Sequence, residues 1–161
     1  MQMSALPTTR ERLESWVSFL RAHSAITRQL NADLLAAHGL TLNDYEVMLR
    51  LSHAENEMMR RVDLAESVVL TASGITRLLD GLERAGLVEK AACSADGRVS
   101  YAKLTLAGGE RLREAAQTHL RGVDELFTSR FSGAELETLA ELLARLPLSG
   151  KDCFGERACG G

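Results

Sequence analysis

The chain has 161 residues, of which 45% are hydrophobic and 25% are charged, and its formal net charge is −3. This length suits one compact domain or two small ones, and no apolar run approaches the roughly 20 residues of a membrane-spanning helix, which argues against a membrane partner. Three cysteines are too few for a disulfide scaffold and favour the cytoplasm. The negative charge argues against a nucleic acid partner, unless the cations are concentrated in one part of the chain.

Helical periodicity governs the first third of the chain. Apolar residues recur every three or four positions and predict a long first helix near 9–37, with Gly39 just beyond its end. Thr41 is placed to cap a second helix, which fades in the polar run at 53–57. The chain is therefore expected to open with two helices, of which the first is much the longer.

Two shorter helices separated by a tight turn follow in the middle of the chain. The third is expected near 63–70, and the fourth begins after Thr71 and ends at Gly86. Only residues 70–73 separate the two, which is the spacing of a helix-turn-helix whose second helix enters the major groove of DNA. The inward stripe of the fourth helix consists of Ile75, Leu78, Leu79 and Leu82.

The outward face of the fourth helix is polar and cationic at its N-terminal end. Arg77 can donate two parallel hydrogen bonds to O6 and N7 of guanine, and Arg84 lies farther along the same face. Ser73 and Thr76 can donate to phosphates or bases, and Thr71 marks a helix N-terminus suited to a phosphate. An isolated arginine on a helix face is more often a solvated charge, but the order of elements here favours contact with DNA.

A β-hairpin is predicted directly after the fourth helix. Its strands are expected at 87–91 and 99–104, and the intervening Asp96-Gly97 is a strong turn signal. The hairpin turns the helix-turn-helix into a winged helix. Arg98 would project from the wing tip into the negative minor groove, and Asp96 would hold this arginine or fix the turn.

Helical patterns return in the last third of the chain. Thr105 is expected to cap a fifth helix of about 25 residues, and the capping box Ser132-x-x-Glu135 opens a sixth. After Pro147 the segment 148–161 is glycine-rich and aperiodic, so it is predicted to be disordered.

The charges are distributed unevenly between these parts. Residues 60–103 hold seven lysines and arginines against six acidic residues, whereas the rest of the chain holds twelve against sixteen. The negative balance therefore belongs to the flanking helices and does not exclude nucleic acid. Because the winged helix is only mildly basic, positioned arginines and duplication in a dimer would have to provide the binding.

Two segments resemble the MarR (multiple-antibiotic-resistance regulator) family of winged-helix repressors: LTASGITRLLDGLERAGLVEK at 70–90 and DGRVSYAKLTLAG at 96–108. The Asp-x-Arg signature of the family's wing falls on Asp96 and Arg98. The resemblance covers roughly residues 10–146.

The resemblance implies a mainly α fold with a small β-hairpin wing. A winged helix-turn-helix domain at 40–104 would be inserted between the helices of a helical dimerisation domain at 8–38 and 105–147. The long terminal helices agree with this, because their apolar stripes have no other obvious surface to cover them. One departure is Val62, where many relatives carry a serine that caps the third helix; Asp63 is expected to replace it, so that this helix starts late.

The predicted function is that of a cytoplasmic, homodimeric transcriptional repressor. It would bind double-stranded DNA at a palindromic operator and need no cofactor. The family further implies release by a small aromatic or phenolic ligand, bound between the dimerisation and winged-helix parts. Trp16, His23, Tyr45 and Arg111 are the candidates to contact it. For Trp16 core packing is the commoner role, and His23 could simply be a histidine of the dimer interface.

The sequence also bears on three other functions: oxidant sensing, catalysis and protein binding. Cys93, in the approach to the wing, would act as the sensor of an oxidant-responsive repressor, whereas Cys153 and Cys159 lie in the tail. An enzyme is not expected, because the chain has no phosphate-binding glycine loop or paired nucleophile and base, and its four histidines have no metal-ligand spacing. A winged helix that contacts only proteins would not need cations at both Arg77 and Arg98.

Overall fold

The computed structural model describes residues 9–68, 70–92 and 99–147. In these ranges the chain forms six α-helices and one three-stranded antiparallel sheet, which confirms the expected mainly α fold with a small wing. The elements are α1 (Thr9–His38), α2 (Leu42–His53), β1 (Met58–Arg60), α3 (Arg61–Ser67), α4 (Ala72–Arg84), β2 (Val88–Ala92), β3 (Ser100–Leu104), α5 (Leu106–Leu126) and α6 (Gly133–Leu143). No helix in these ranges is long and apolar enough to cross a membrane.

Local capping interactions define where several helices begin. The hydroxyl of Thr41 accepts a hydrogen bond from the backbone N–H of Asp44 at 3.0 Å, and the Asp44 carboxylate accepts one from the Thr41 N–H at 2.8 Å. Ser132 and Glu135 form the same capping box at α6, and the hydrogen bonds from Ser132 hold the pKa of the Glu135 carboxyl below its usual value. Both caps were predicted from the sequence, and both are confirmed.

The third helix departs from its prediction. It begins at Arg61 rather than at Asp63, and it ends at Ser67 rather than near residue 70. Asp63 does not cap it, since its carboxylate instead accepts hydrogen bonds from the guanidinium of Arg60 at 2.7 and 2.8 Å. The expected late start at Asp63 is therefore wrong, because a neighbouring arginine competes for the carboxylate.

The sheet contains one strand that the sequence did not predict. β2 and β3 pair as the expected antiparallel hairpin, and β1 adds to the free edge of β3, so that the strand order is β1-β3-β2. β1 has only three residues, which is too short for an alternating pattern to stand out. It follows a 3₁₀ turn at Glu55–Glu57, where Asn56 and Glu57 both have φ of 55°.

One continuous hydrophobic core joins the long helices to the middle of the chain. It includes Leu112 and Ala115 of α5 as well as Ala102 and Leu104 of β3. Three members of the predicted α4 stripe, Ile75, Leu79 and Leu82, are buried in it and Leu78 packs against it, as expected. The largest fully buried side chains are Leu34, Met48, Leu51, Leu64, Leu79 and Val47.

The chain leaves the first half of α1 and all of α6 outside this core. Apolar side chains of α1 are between 39% and 57% exposed over this stretch, namely Leu13, Trp16, Val17, Phe19 and Leu20. No residue of α6 is buried. α5 is shorter than the expected 25 residues: it has 21, because the backbone leaves helical geometry at Phe127 and a 3₁₀ turn at Thr128–Arg130 follows.

Candidate nucleic-acid interface

The N-terminus of α4 is fixed by the cap that the sequence predicted. The hydroxyl of Thr71 accepts a hydrogen bond from the backbone N–H of Gly74 at 3.1 Å and lies 3.2 Å from the hydroxyl of Ser73. Both side chains are exposed. The capping geometry brings two hydroxyl groups together at a helix N-terminus, where the helix dipole favours an anion such as a phosphate.

Arg77 lies on the exposed face of α4, about one and a half turns from this end. Within the described part of the chain its guanidinium forms no hydrogen bond and no ion pair. The hydroxyl of the neighbouring Thr76 donates to the carbonyl oxygen of Ala72 at 2.9 Å, so it retains its lone pairs to accept a hydrogen bond. Arg77, the side chain best suited to guanine, thus has its donors free of the other described residues.

Arg84 is placed differently from the other candidates. It lies seven residues beyond Arg77, which is about 10 Å along the helix axis. Its Nε donates to the carbonyl oxygen of Asp80 at 3.1 Å. The structure therefore brings Thr71, Ser73, Thr76 and Arg77 together at one end of α4 and leaves Arg84 at the other.

Ion pairs that the sequence did not reveal attach α4 to its neighbours. Nη2 of Arg61, in α3, lies 3.0 Å from Oε1 of Glu83 and 3.8 Å from Oδ1 of Asp80. Nζ of Lys90, in β2, lies 3.4 Å from Oε2 of Glu83. The two acidic residues of α4, whose charges would repel phosphates, are thereby paired with cations. Arg61 is 22 residues from Glu83, so no local pattern could have predicted the contact.

The wing is described only at its base. β2 and β3 are joined by backbone pairing and by Lys103, whose Nζ lies 3.7 Å from Oε1 of Glu89. Asp96 and Arg98, proposed at the wing tip, and Cys93, the candidate sensor, lie outside the described residues. Their roles remain predictions.

Comparisons with known proteins agree on what this arrangement is. A model described as "MarR family" matches residues 38–99. The structure superposes with a TM-score of 0.78 on AbsC, a MarR family transcriptional regulator from Streptomyces coelicolor, over 88% of this chain and 95% of that one, at 32% sequence identity. The chain belongs to the MarR family.

Two further relatives extend the comparison. The structure of Sco3205, a MarR family transcriptional regulator from Streptomyces coelicolor solved in complex with DNA, matches with a TM-score of 0.78 at 25% identity, over 88% of this chain and 95% of that one. YetL of Bacillus subtilis, an HTH-type transcriptional repressor, is 27% identical over 111 residues, which are 69% of this chain and 66% of YetL. This MarR family chain is a DNA-binding transcriptional regulator and not an enzyme, as the sequence predicted.

In this MarR family regulator, two of the four ligand candidates are already engaged within the chain. The ring of Tyr45 is only 4% exposed and packs against the ring of His119, with 4.5 Å between their centroids. Burial raises the pKa of the Tyr45 hydroxyl and lowers the pKa of His119. Nη1 of Arg111 donates to the carbonyl oxygen of His38 at 2.9 Å, at the C-terminal end of α1.

The other two candidates, Trp16 and His23, lie along the exposed half of α1. Phe19 lies between them, with ring centroids 6.1 Å from Trp16 and 6.4 Å from His23. Trp16 is 55% exposed, so it is not packed in the core of a single chain. Along α1 it is about 33 Å from His38, where Arg111 binds, so Trp16 and Arg111 do not line one pocket within the chain.

His119 is a feature of this region that the sequence does not predict. Its Nδ1 is buried and has no hydrogen-bond partner among the described residues. The sequence shows it only as one histidine on the polar-apolar boundary of α5, because its neighbour Tyr45 is 74 residues away along the chain.

Proposed function

We propose that this regulator is a sequence-specific repressor that binds a palindromic operator as a homodimer, with α4 of each protomer in the major groove. The observation that carries the proposal is the exposed guanidinium of Arg77 near the capped N-terminus of α4, which has no partner among the described residues. A recognition helix contacts base edges through this end, and an arginine whose donors are not used by neighbouring side chains can donate two hydrogen bonds to guanine.

The remaining contacts follow from the positions of the side chains. Ser73 and Thr71 are proposed to bind a phosphate at the helix N-terminus, and Thr76 to accept a hydrogen bond from a base or a bridging water. Arg84, at the far end of α4, would contact the DNA backbone. At the wing tip, Arg98 is proposed to enter the minor groove, with Asp96 holding it in place.

The exposed apolar face of α1 supports the homodimer. Five half-exposed apolar side chains between residues 13 and 20 form a patch that a soluble chain rarely leaves uncovered. We propose that this patch and α6 pack against a second copy, so that 8–38 and 105–147 form the dimerisation domain and 40–104 the DNA-binding domain. A two-fold dimer presents two recognition helices to a palindromic site, and its footprint would block transcription, as expected of a repressor.

We also propose that a small aromatic or phenolic ligand releases the operator. The exposed His23 lies just beyond the patch proposed for the dimer interface and Trp16 lies within it, so a ligand that contacts both would bind at the edge of that interface. Contact with Tyr45 or Arg111 would require the ring contact or the hydrogen bond described above to open. Trp16 is the only tryptophan in the chain, so its fluorescence reports on a ligand directly. Titration with benzoate and with phenol should quench it and lower operator affinity in parallel; quenching without loss of affinity would contradict the regulatory role.

DNA binding by matched arginine variants tests the main proposal. An operator is first selected with the wild-type protein from a random duplex library, and affinity is then measured by fluorescence anisotropy. Arg77→Ala should weaken binding by about 5-fold or more, since a bidentate guanine contact contributes about 1–3 kcal/mol. Arg121→Ala, which removes an exposed arginine from the last third of α5, is the control and should bind like wild type. Equal affinity of the two variants would overturn the assignment of α4, and a lacZ reporter behind the operator would separate repression from activation.

A further inference from the structure

A compact set of hydrogen bonds joins the end of the recognition helix to the start of α5. The chain leaves α4 through a turn at Gly86, whose φ is +72°. The hydroxyl of Thr105 donates to the carbonyl oxygen of Gly86 at 2.7 Å, and the backbone N–H of Thr105 donates to the carbonyl oxygen of Leu87 at 3.1 Å. The same hydroxyl accepts from the backbone N–H of Gly108 at 3.0 Å, which caps α5. We call this set of contacts the α4–α5 joint.

Gly108 allows the two parts of the joint to approach this closely. A Cβ atom at this position would overlap the backbone carbonyl oxygen of Leu87 and would lie 2.8 Å from Cδ1 of Leu104. Gly108 is in the first turn of α5, so the helix backbone rests directly on the turn that ends α4. Any larger side chain would push the two apart, because a backbone oxygen cannot move aside as a flexible side chain can.

Beyond the joint, α5 is attached firmly to α1. Arg111 donates to the carbonyl oxygen of His38, and a Cβ atom at Gly122 would lie only 2.7 Å from Cδ2 of Leu30. The orientation of α4 is therefore transmitted through the joint to the helix pair α1–α5. The ring contact between Tyr45 and His119 and the shared core residues Leu112 and Ala115 also join α5 to the winged helix, but they are side-chain contacts, whereas the joint connects backbone to backbone.

The length of α4 amplifies any rotation at the joint. The helix has 13 residues, so its N-terminus is about 20 Å from the end held by the joint. A tilt of about 10° would move the N-terminus by about 3 Å, close to the rise of roughly 3.4 Å between successive base pairs. The joint thus controls where each recognition helix meets the groove.

From this geometry we infer that Thr105 and Gly108 are positioning residues that set the half-site spacing that the regulator accepts. The inference rests on the proposed homodimer, because spacing is defined only between two recognition helices. Neither residue is proposed to contact DNA. Each would act by fixing the orientation of α4 relative to the dimerisation helices.

Hydroxyl removal and restoration at Thr105 test the inference. The selected operator is remade with one base pair inserted or deleted at its centre, and a duplex with a single half-site is also prepared. In Thr105→Val the ratio of the affinity for the natural operator to the affinity for the altered-spacing operators should fall by about 10-fold. Its affinity for the single half-site should stay within about 2-fold of wild type. Thr105→Ser keeps the hydroxyl and should restore the preference. Thr41→Val, which removes the equivalent capping hydroxyl from α2 and leaves the joint intact, is the matched control.

The outcomes separate this inference from the proposed function. If Thr105→Val keeps the spacing preference, or loses half-site and full-site affinity equally, the positioning role is wrong. If Thr105→Val does not fold, Thr105→Ala removes the same hydrogen bonds with a smaller side chain and is judged by the same criteria. If the wild-type protein selects no two-fold operator at all, the homodimer proposal itself fails.

Discussion

The ion pair between Arg61 and Glu83 offers a quantitative test of how α4 is held in place. Their side chains are only 20% and 18% exposed, and Nη2 of Arg61 lies 3.0 Å from Oε1 of Glu83. A hydrogen bond to a charged group contributes about 1.5–3 kcal/mol to the free energy of unfolding. Lys90 remains as a partner for Glu83 when Arg61 is removed, which reduces the loss. We therefore expect Arg61→Met to lower the unfolding free energy by about 1–2 kcal/mol.

A double-mutant cycle isolates this contact. Arg61→Met, Glu83→Gln and the double variant are compared with wild type by thermal unfolding at one fixed protomer concentration, because dimer stability depends on concentration. The interaction energy should be about 1 kcal/mol, and Arg61→Met should lower Tm by about 2–8 °C. The exposed pair Arg10 and Glu14 is the control, with an expected interaction below about 0.5 kcal/mol. An Arg61–Glu83 interaction no larger than that of the control would refute the reasoning.

Two further predictions concern α5 and α1. Burial lowers the pKa of His119 from its ordinary 6.5, so the unfolded chain takes up a proton at a higher pH than the folded chain, and the free energy of unfolding should fall as pH drops below about 6.5. His119→Gln should flatten the dependence of the unfolding free energy on pH, measured in urea between about pH 5 and 7. An unchanged pH dependence would exclude His119 as its source. Trp16→Ala should shift the protein from dimer to monomer in analytical ultracentrifugation, since Trp16 is 55% exposed on the proposed interface, and Arg10→Ala should not; a dimer as stable as wild type would place the interface elsewhere.

Local patterns in the sequence predicted most of the fold. The caps at Thr41, Thr71 and Thr105 depend on residues within a few positions of one another, so their chemistry is visible in the sequence. The buried stripe of α4 follows from a periodicity sustained over 13 residues. The exposed cation at Arg77 was predicted from that same periodicity, as the side chain opposite the stripe.

Contacts between distant parts of the chain could not be predicted in this way. β1 forms because Met58, Met59 and Arg60 pair with β3 more than 40 residues later, and nothing within the three residues themselves indicates a strand. Asp63 was assigned to a helix cap because the sequence gives no measure of how strongly Arg60 competes for its carboxylate. The burial of Tyr45 against His119 likewise depends on how α2 and α5 pack, which no local pattern in the sequence reveals.

The most direct test of the central claim is a cycle between Arg77 and the base that it is proposed to contact. Operators are made with 7-deazaguanine in place of each conserved guanine in turn, which removes the N7 acceptor and leaves Watson–Crick pairing intact. At one symmetric position per half-site, the wild-type protein should lose about 10-fold in affinity, and Arg77→Ala should lose nothing further at that position. If wild type and Arg77→Ala respond equally to every substitution, Arg77 does not read guanine and α4 is not the recognition helix proposed here.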